Sequence, residues 1–468
     1  HDNNRDWFML TQVETRMLTR VLYTQWFPEV FYDVHQMGAT GTRMFVPPFA
    51  DPVNPNLDPA IVGGMNLVGV TMAHALLDAG KTGVAHQDRY DLWWHGGARS
   101  TPTRHNMVGI LSEASSARLA TPACYSAADI RQPAQGINFP APWTPGCWHL
   151  RDIVDYELIA ATALVKLASD QRAAFVGRFV GAGRRAVEAG RGEPYAFILP
   201  ADSGDAGARA LLANLLIAAG VEVHRARTPL AANGVTYPAG SLVVRMDQPF
   251  RAHAKDLLER QNYPDRRPYL GGPPQPPYDV AGWTLPLQMG LRVDHVITPL
   301  GAADLERLDT VVTLPGTVAG RGEIALLDNR ANGQITALWR ALAAGASAEI
   351  AAAAFTVEGR DWPAGTLIVR GGRAAIERSA RELGFDATLV RRAAAPAGSP
   401  HVAGVPRVAL YRSWNASMDE GWTRWVFEQL GVSYVTVTDS TIRQGGLRSR
   451  FDVVILPSET DSAIATGR

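Results

Sequence analysis

A nine-residue echo constrains this chain more than any other feature: YPAGSLVVR at 237–245 returns as WPAGTLIVR at 362–370. In each copy Pro-Ala-Gly reads as a turn feeding a short apolar, β-branched run of strand type. Two copies are too few for a solenoid, so the spacing predicts a duplicated α/β half-domain over about 190–395. The neighbouring pattern agrees. YAFILP (195–200), DAGARALLANLLIAAG (205–220) and VEVHRA (221–226) read as strand, helix and strand. The stretch 262–283, rich in proline and aromatic residues, is expected to be a loop inside this unit.

The rest of the chain also alternates. Leu10 to Phe27 has a helical pattern closed by Pro28, and EVFYDVHQMG (29–38) is a β-rich run ending in polar residues. Residues 44–59 carry five prolines and predict a long, well-defined loop. Residues 60–80 form a helix with small residues on one side and Gly80 beyond its end. NMVGILSEAS (106–115) is a second apolar strand that ends in a carboxylate. A Pro/Trp-rich connector at 131–150 leads into one long helix at about 151–189, and 393–406 is a linker by composition. Beyond it RVALYRSW and VVILPSE are strands around SMDEGWTRWVFEQLG, a helix with Ser417 as cap, Glu420 three residues on and Gly431 at its end. The fold class is α/β. Four segments are expected: 1–130, 131–190, 191–395 and 406–468.

The balance of 45 basic and 45 acidic residues, formal net charge +0, gives no electrostatic case for nucleic acid. No stretch is expected to reach the roughly 20 apolar residues of a membrane span. Cys124 and Cys147 are the two cysteines, and the sequence leaves open whether they pair or remain thiols.

Three places carry chemistry. In FYDVHQMG, alternation sets Phe31, Asp33 and His35 on one strand face and Tyr32 and Val34 on the other. His35 stands where the apolar run stops, and ligands gather at the carboxyl ends of strands in α/β sheets. It is a candidate metal ligand or base whose second nitrogen Asp33 or a carbonyl could hold. Glu113 ends its own strand in the same way; beside apolar neighbours its pKa would rise and fit it for general-base work. Asn4 and Arg5 form the third place: a guanidinium fork beside an amide suits a carboxylate, or else a network with Asp2 or Asp6. His74, His86, His95 and His105 are weaker candidates, since no pair has a recognised metal spacing. No C-x-x-C, P-loop or G-x-S-x-G elbow occurs.

Taken together, NNRDW, YDVHQMG and VGILSEAS resemble the Asn-Arg, third-ligand and catalytic-glutamate segments of the zinc carboxypeptidases, the carboxypeptidase A-like metallopeptidases. The His35-to-Glu113 interval of 78 residues is close to the family's usual separation. The resemblance implies a Zn2+ cofactor with His35 as a ligand, Glu113 as general base, Asn4 and Arg5 on the C-terminal carboxylate of a peptide, and Tyr90 as the substrate-capping tyrosine, with Trp94 an equally spaced choice. The family's H-x-x-E motif is not in the sequence. The expectation is therefore that 1–130 is the C-terminal half of a partial, mixed-sheet catalytic domain. With His35 its one ligand, the chain would hold zinc weakly. GGARSTP and MDEGWTRW are similar to bacterial multidomain members, which implies an incomplete glutamine-amidotransferase-like domain at 406–468 and a periplasmic or secreted location. Alternatives are a non-catalytic scaffold that binds peptides or other ligands, and a zinc-dependent deacylase of small amides.

Overall fold

A computed structural model describes residues 2–118, 121–301, 304–402 and 404–467. The chain separates into two compact units. One comprises residues 3–201 and 213–310; the other comprises 1–2, 202–212 and 311–468. Both mix helices with sheets, as the α/β reading expects.

In the first unit, strand Val30–Met37 runs parallel to Val108–Ser115, which continues antiparallel to Met44–Phe45 and then Val84–Ala85. The Val108–Ser115 strand is buried along its whole length. Two helices cover one of its faces. A Cβ at Gly64, in helix Pro59–Asp78, would lie 2.8 Å from Val108 Cγ2. From helix Leu150–Asp170, Glu157 accepts hydrogen bonds from Tyr32 at 2.7 Å and Ser112 at 2.8 Å. The opposite face carries Leu111 and Glu113, the alternation that strand geometry imposes.

Several expectations need correction. Pro59–Asp78 is long and apolar enough to cross a membrane by length and composition, contrary to the reading that no stretch is. Its Gly and Ala residues add little polarity, and its only charge is at Asp78. Ile61, Met65, Val68, Met72 and Leu76 line its buried side. Gly69 is obligatory there, since a Cβ would stand 1.9 Å from the Pro47 carbonyl oxygen. The long helix expected over 151–189 is two, Leu150–Asp170 and Arg172–Ala189, divided at Gln171, whose backbone leaves the helical region. The proline-rich 44–59 segment holds two short strands, Met44–Phe45 and Ala50–Val53. Cys124 and Cys147 are joined by a disulfide between two short paired strands.

The echoed motifs form equivalent central strands. Leu242–Arg245 pairs antiparallel with Ala196–Leu199, and Leu367–Arg370 pairs antiparallel with Ile324–Leu327. Each follows a two-stranded hairpin, Leu230–Ala232 with Val235–Tyr237 and Phe355–Val357 with Arg360–Trp362. Gly240 and Gly365 close the turns at φ +88° and +85°, where a side chain would be strained. By first residue, the sheets run 294-196-242-224-305 and 318-387-324-367-347-401. Without the edge strand at 318 the two orders coincide. In the second unit Val408–Tyr411 lies between Tyr434–Val437 and Val453–Ile455, all parallel, with the capped helix Met418–Leu430 as a crossover.

A buried ion pair ties the first unit together. Arg104 Nε donates to Asp256 Oδ2 at 2.8 Å with both side chains fully buried, and Arg104 Nη2 donates to the Trp93 carbonyl at 2.7 Å. Asn54 and Asn56 also donate to the Asp256 carboxylate. Asp256→Ala would strand the guanidinium in the interior. The expected result is a loss of about 3–5 kcal/mol of unfolding free energy in urea titration.

Candidate functional site

Parallel pairing brings His35 and Glu113 together, each two residues before the end of its strand. His35 and Glu113 are register partners on adjacent strands and point to the same face, with strands about 4.8 Å apart. His35 Nε2 meets Asp33 Oδ2 at 2.6 Å and Asn4 Nδ2 at 3.4 Å. One ring nitrogen cannot donate to the first and accept from the second. The shorter contact decides it: Nε2–H is donated to Asp33. Asp33, on the same strand face, therefore orients the imidazole as the sequence pattern anticipates.

Glu113 is 9% exposed. Its Oε2 is buried without a hydrogen-bond partner, and the Tyr90 phenol lies near enough to act on its carboxyl group. Burial raises the Glu113 pKa above the ordinary carboxyl value; the opposing pull of His35, Tyr90 and the Arg99 guanidinium is smaller. Tyr90 is itself buried, against Phe45 at 4.7 Å and Tyr278 at 5.7 Å, and burial and Glu113 push its phenol up. Of the two capping candidates, Tyr90 is thus the one on Glu113, while Trp94 lies under Arg5 with its ring 4.7 Å from the guanidinium.

Asn4 and Arg5 form a short 3-10 turn beside the histidine. Asn4 Oδ1 accepts from Ala98 N at 2.7 Å, which fixes the amide so that Nδ2 faces His35. Arg5 does not pair with Asp6, whose carboxylate accepts from Thr11, Gln12 and Thr15. Its Nε donates instead to Asp279 Oδ2 at 2.5 Å.

Sequence reasoning missed two residues here, Asp279 and Arg99. Asp279 lies 274 residues from Arg5 in the chain, on the loop 262–283. That loop does not stay within the duplicated fold. It lies along residues 90–95: Tyr263 Oη donates to Asp91 at 3.2 Å, Trp94 Nε1 donates to the Ala281 carbonyl at 2.8 Å, and His95 Nε2 meets the Gly282 carbonyl at 3.1 Å. Burial lowers the His95 pKa to about 4, which keeps that imidazole neutral. Arg99 is 3% exposed; its Nη1 donates to the Asp91 carbonyl at 2.7 Å, its Nη2 has no partner, and its guanidinium lies over Tyr278 at 4.9 Å. A cation inside GGARSTP, next to a capping-tyrosine candidate, was the one signal available for it.

The remaining histidine candidates lie in other settings. His105 is buried and stacked on Tyr23 at 3.6 Å, and His74 is on an exposed helix face paired with Asp78. His86 Nδ1 contacts the Pro47 carbonyl at 2.8 Å. Among the described residues no group of three or more His, Cys, Asp or Glu could hold a metal ion.

The raised pKa of Glu113 makes a stability prediction. A native carboxyl that holds its proton more tightly than the unfolded one costs stability as pH rises from the unfolded pKa through the native one. Glu113→Gln removes that cost. The difference in Tm between Glu113→Gln and the unsubstituted protein should be more positive at pH 7 than at pH 4 in thermal-shift measurements; a pH-independent difference would contradict the shift.

Comparison with protein-family models, with curated proteins and with solved structures found no match.

Proposed function

We propose that this chain carries the general base and the carboxylate clamp of a zinc-dependent carboxypeptidase that cleaves the last peptide bond of peptides. One observation carries the reading: His35 and Glu113 are register partners on one sheet face, with Asn4 beside the imidazole and Arg5 next in the chain. Chain segments around residues 4, 35 and 113 converge on one place, as the resemblance requires.

Glu113 has the setting of a general base. Its raised pKa brings it closer to working pH, where proton transfer is most effective. It takes a proton from the attacking water at its carboxylate and passes it to the leaving amine. Arg5 and Asn4 orient the terminal carboxylate so that the scissile bond lies over Glu113, and such orientation contributes several kcal/mol. The Tyr90 phenol beside Glu113 opposes the rise in its pKa. Zinc in the resembled family takes three protein ligands and one open position. The described residues bring one imidazole, His35, so by themselves they do not fit the whole metal site, and no step is assigned to the metal. The Cys124–Cys147 disulfide supports an oxidising location, periplasmic or secreted.

A binding module without turnover is the second reading, and that single imidazole is the observation that favours it. The two separate by experiment. With the zinc ligands complete, Glu113→Gln should lose at least about 100-fold in hydrolysis of an N-acyl dipeptide while still binding it, and Arg5→Ala should raise KM. Full activity in Glu113→Gln overturns the catalytic reading, and peptide binding with no turnover in any form supports the module. The chain with His35 alone should retain well under one zinc per molecule after dialysis; stoichiometric zinc would overturn the ligand assignment.

A further inference from the structure

The guanidinium assigned to a ligand carboxylate is already paired with a carboxylate of its own chain. Arg5 Nε and Asp279 Oδ2 are 2.5 Å apart, with side chains 30% and 18% exposed, so solvent and salt screen the pair less than one at the open surface. The Arg5 guanidinium lies over the rings of Trp94, at 4.7 Å, and Tyr278, at 5.8 Å. Asp279 is no wandering side chain. Its Oδ1 accepts from Ala281 N at 2.7 Å, the local turn aspartates favour. That turn is pinned by Trp94 on the Ala281 carbonyl and His95 on the Gly282 carbonyl. The loop therefore presents a carboxylate to Arg5 from fixed backbone.

We infer that Asp279 is a specificity-determining residue of this site: an internal carboxylate that competes with the terminal carboxylate of a peptide for Arg5. The inference rests on the reading of Arg5 as the carboxylate anchor. Two carboxylates gathered on one guanidinium repel each other, and the repulsion is strong in a partly buried setting. A ligand acid must displace Asp279 from Arg5 to bind there. A ligand ending in a neutral amide does not meet that cost. With Asp279 in place the preference for an acid end over an amide end is weakened; with the loop displaced, or its charge removed, that preference rises. Asp279→Asn keeps the shape and one acceptor oxygen and removes the charge.

The test is an NMR titration of the full chain, at fixed ionic strength, with N-acetylglycyl-L-alanine and with its C-terminal amide. Asp279→Asn should bind the acid at least tenfold tighter than the unsubstituted protein, about 1.4 kcal/mol, with affinity for the amide unchanged. Adding Arg5→Ala to Asp279→Asn should abolish the gain. Acid affinity unchanged or weakened in Asp279→Asn, with Arg5→Ala still losing the acid, overturns the role of Asp279 and leaves the anchor. Acid affinity indifferent to Arg5→Ala overturns both. A second measurement needs no variant: saturating acid, but not amide, should speed hydrogen exchange at the Ala281 amide, which Asp279 protects. Equal exchange with and without the acid also overturns the proposal.

Discussion

The site depends on one register. Val30–Met37 and Val108–Ser115 pair in parallel with His35 opposite Glu113. Because side chains alternate along a strand, a slip of one residue would turn either group to the helix-covered face. That register is held from the other side of the sheet. Tyr32 and Ser112 both donate to Glu157 of helix Leu150–Asp170, three polar groups satisfied together in a partly buried place. Burial raises the Glu157 pKa, and the two donors oppose that rise. A slipped strand would leave these groups without partners, a penalty that helps fix the pairing.

A second constraint acts through the segment 90–104. It supplies Tyr90 to Glu113, Trp94 to Arg5 and Arg99 to the cluster of rings, and it is fastened below by the buried Arg104–Asp256 pair and above by the loop 262–283. The helix that provides Asp256 and the loop that provides Asp279 both belong to the part of the chain read from sequence as a separate α/β unit. Here they form one compact unit with the strands that bear His35 and Glu113. The candidate site is thus built partly by residues far away in the chain: Asp279 is an ion-pair partner of Arg5.

Much of the local structure was legible because its causes are local. The strands bearing His35 and Glu113, each of which runs two residues beyond the expected end to Met37 and Ser115, the Ser417 cap and Gly431 at the end of its helix, and the Pro-Ala-Gly turns with their left-handed glycines follow from alternation, capping and backbone freedom within a few residues. The errors share the opposite character. Gln171 interrupts a helix in a stretch where periodicity continues on both sides. Pro59–Asp78 has the composition of a span, yet eight of its residues are buried in a protein core. Asp6, one of the two neighbours considered for Arg5, instead closes a turn on Thr11, Gln12 and Thr15.

The sequence by itself determined the α/β class, the twin Pro-Ala-Gly units, and which residue types end which strands, since these depend on side-chain period and turn chemistry. Tertiary structure alone decided that Cys124 meets Cys147, that Tyr90 rather than Trp94 reaches Glu113, and that Asp279 neutralises Arg5. Those contacts join residues between 23 and 274 positions apart. Their energies depend on burial and on distances of a few ångströms, and neither quantity is encoded in any short window of the chain.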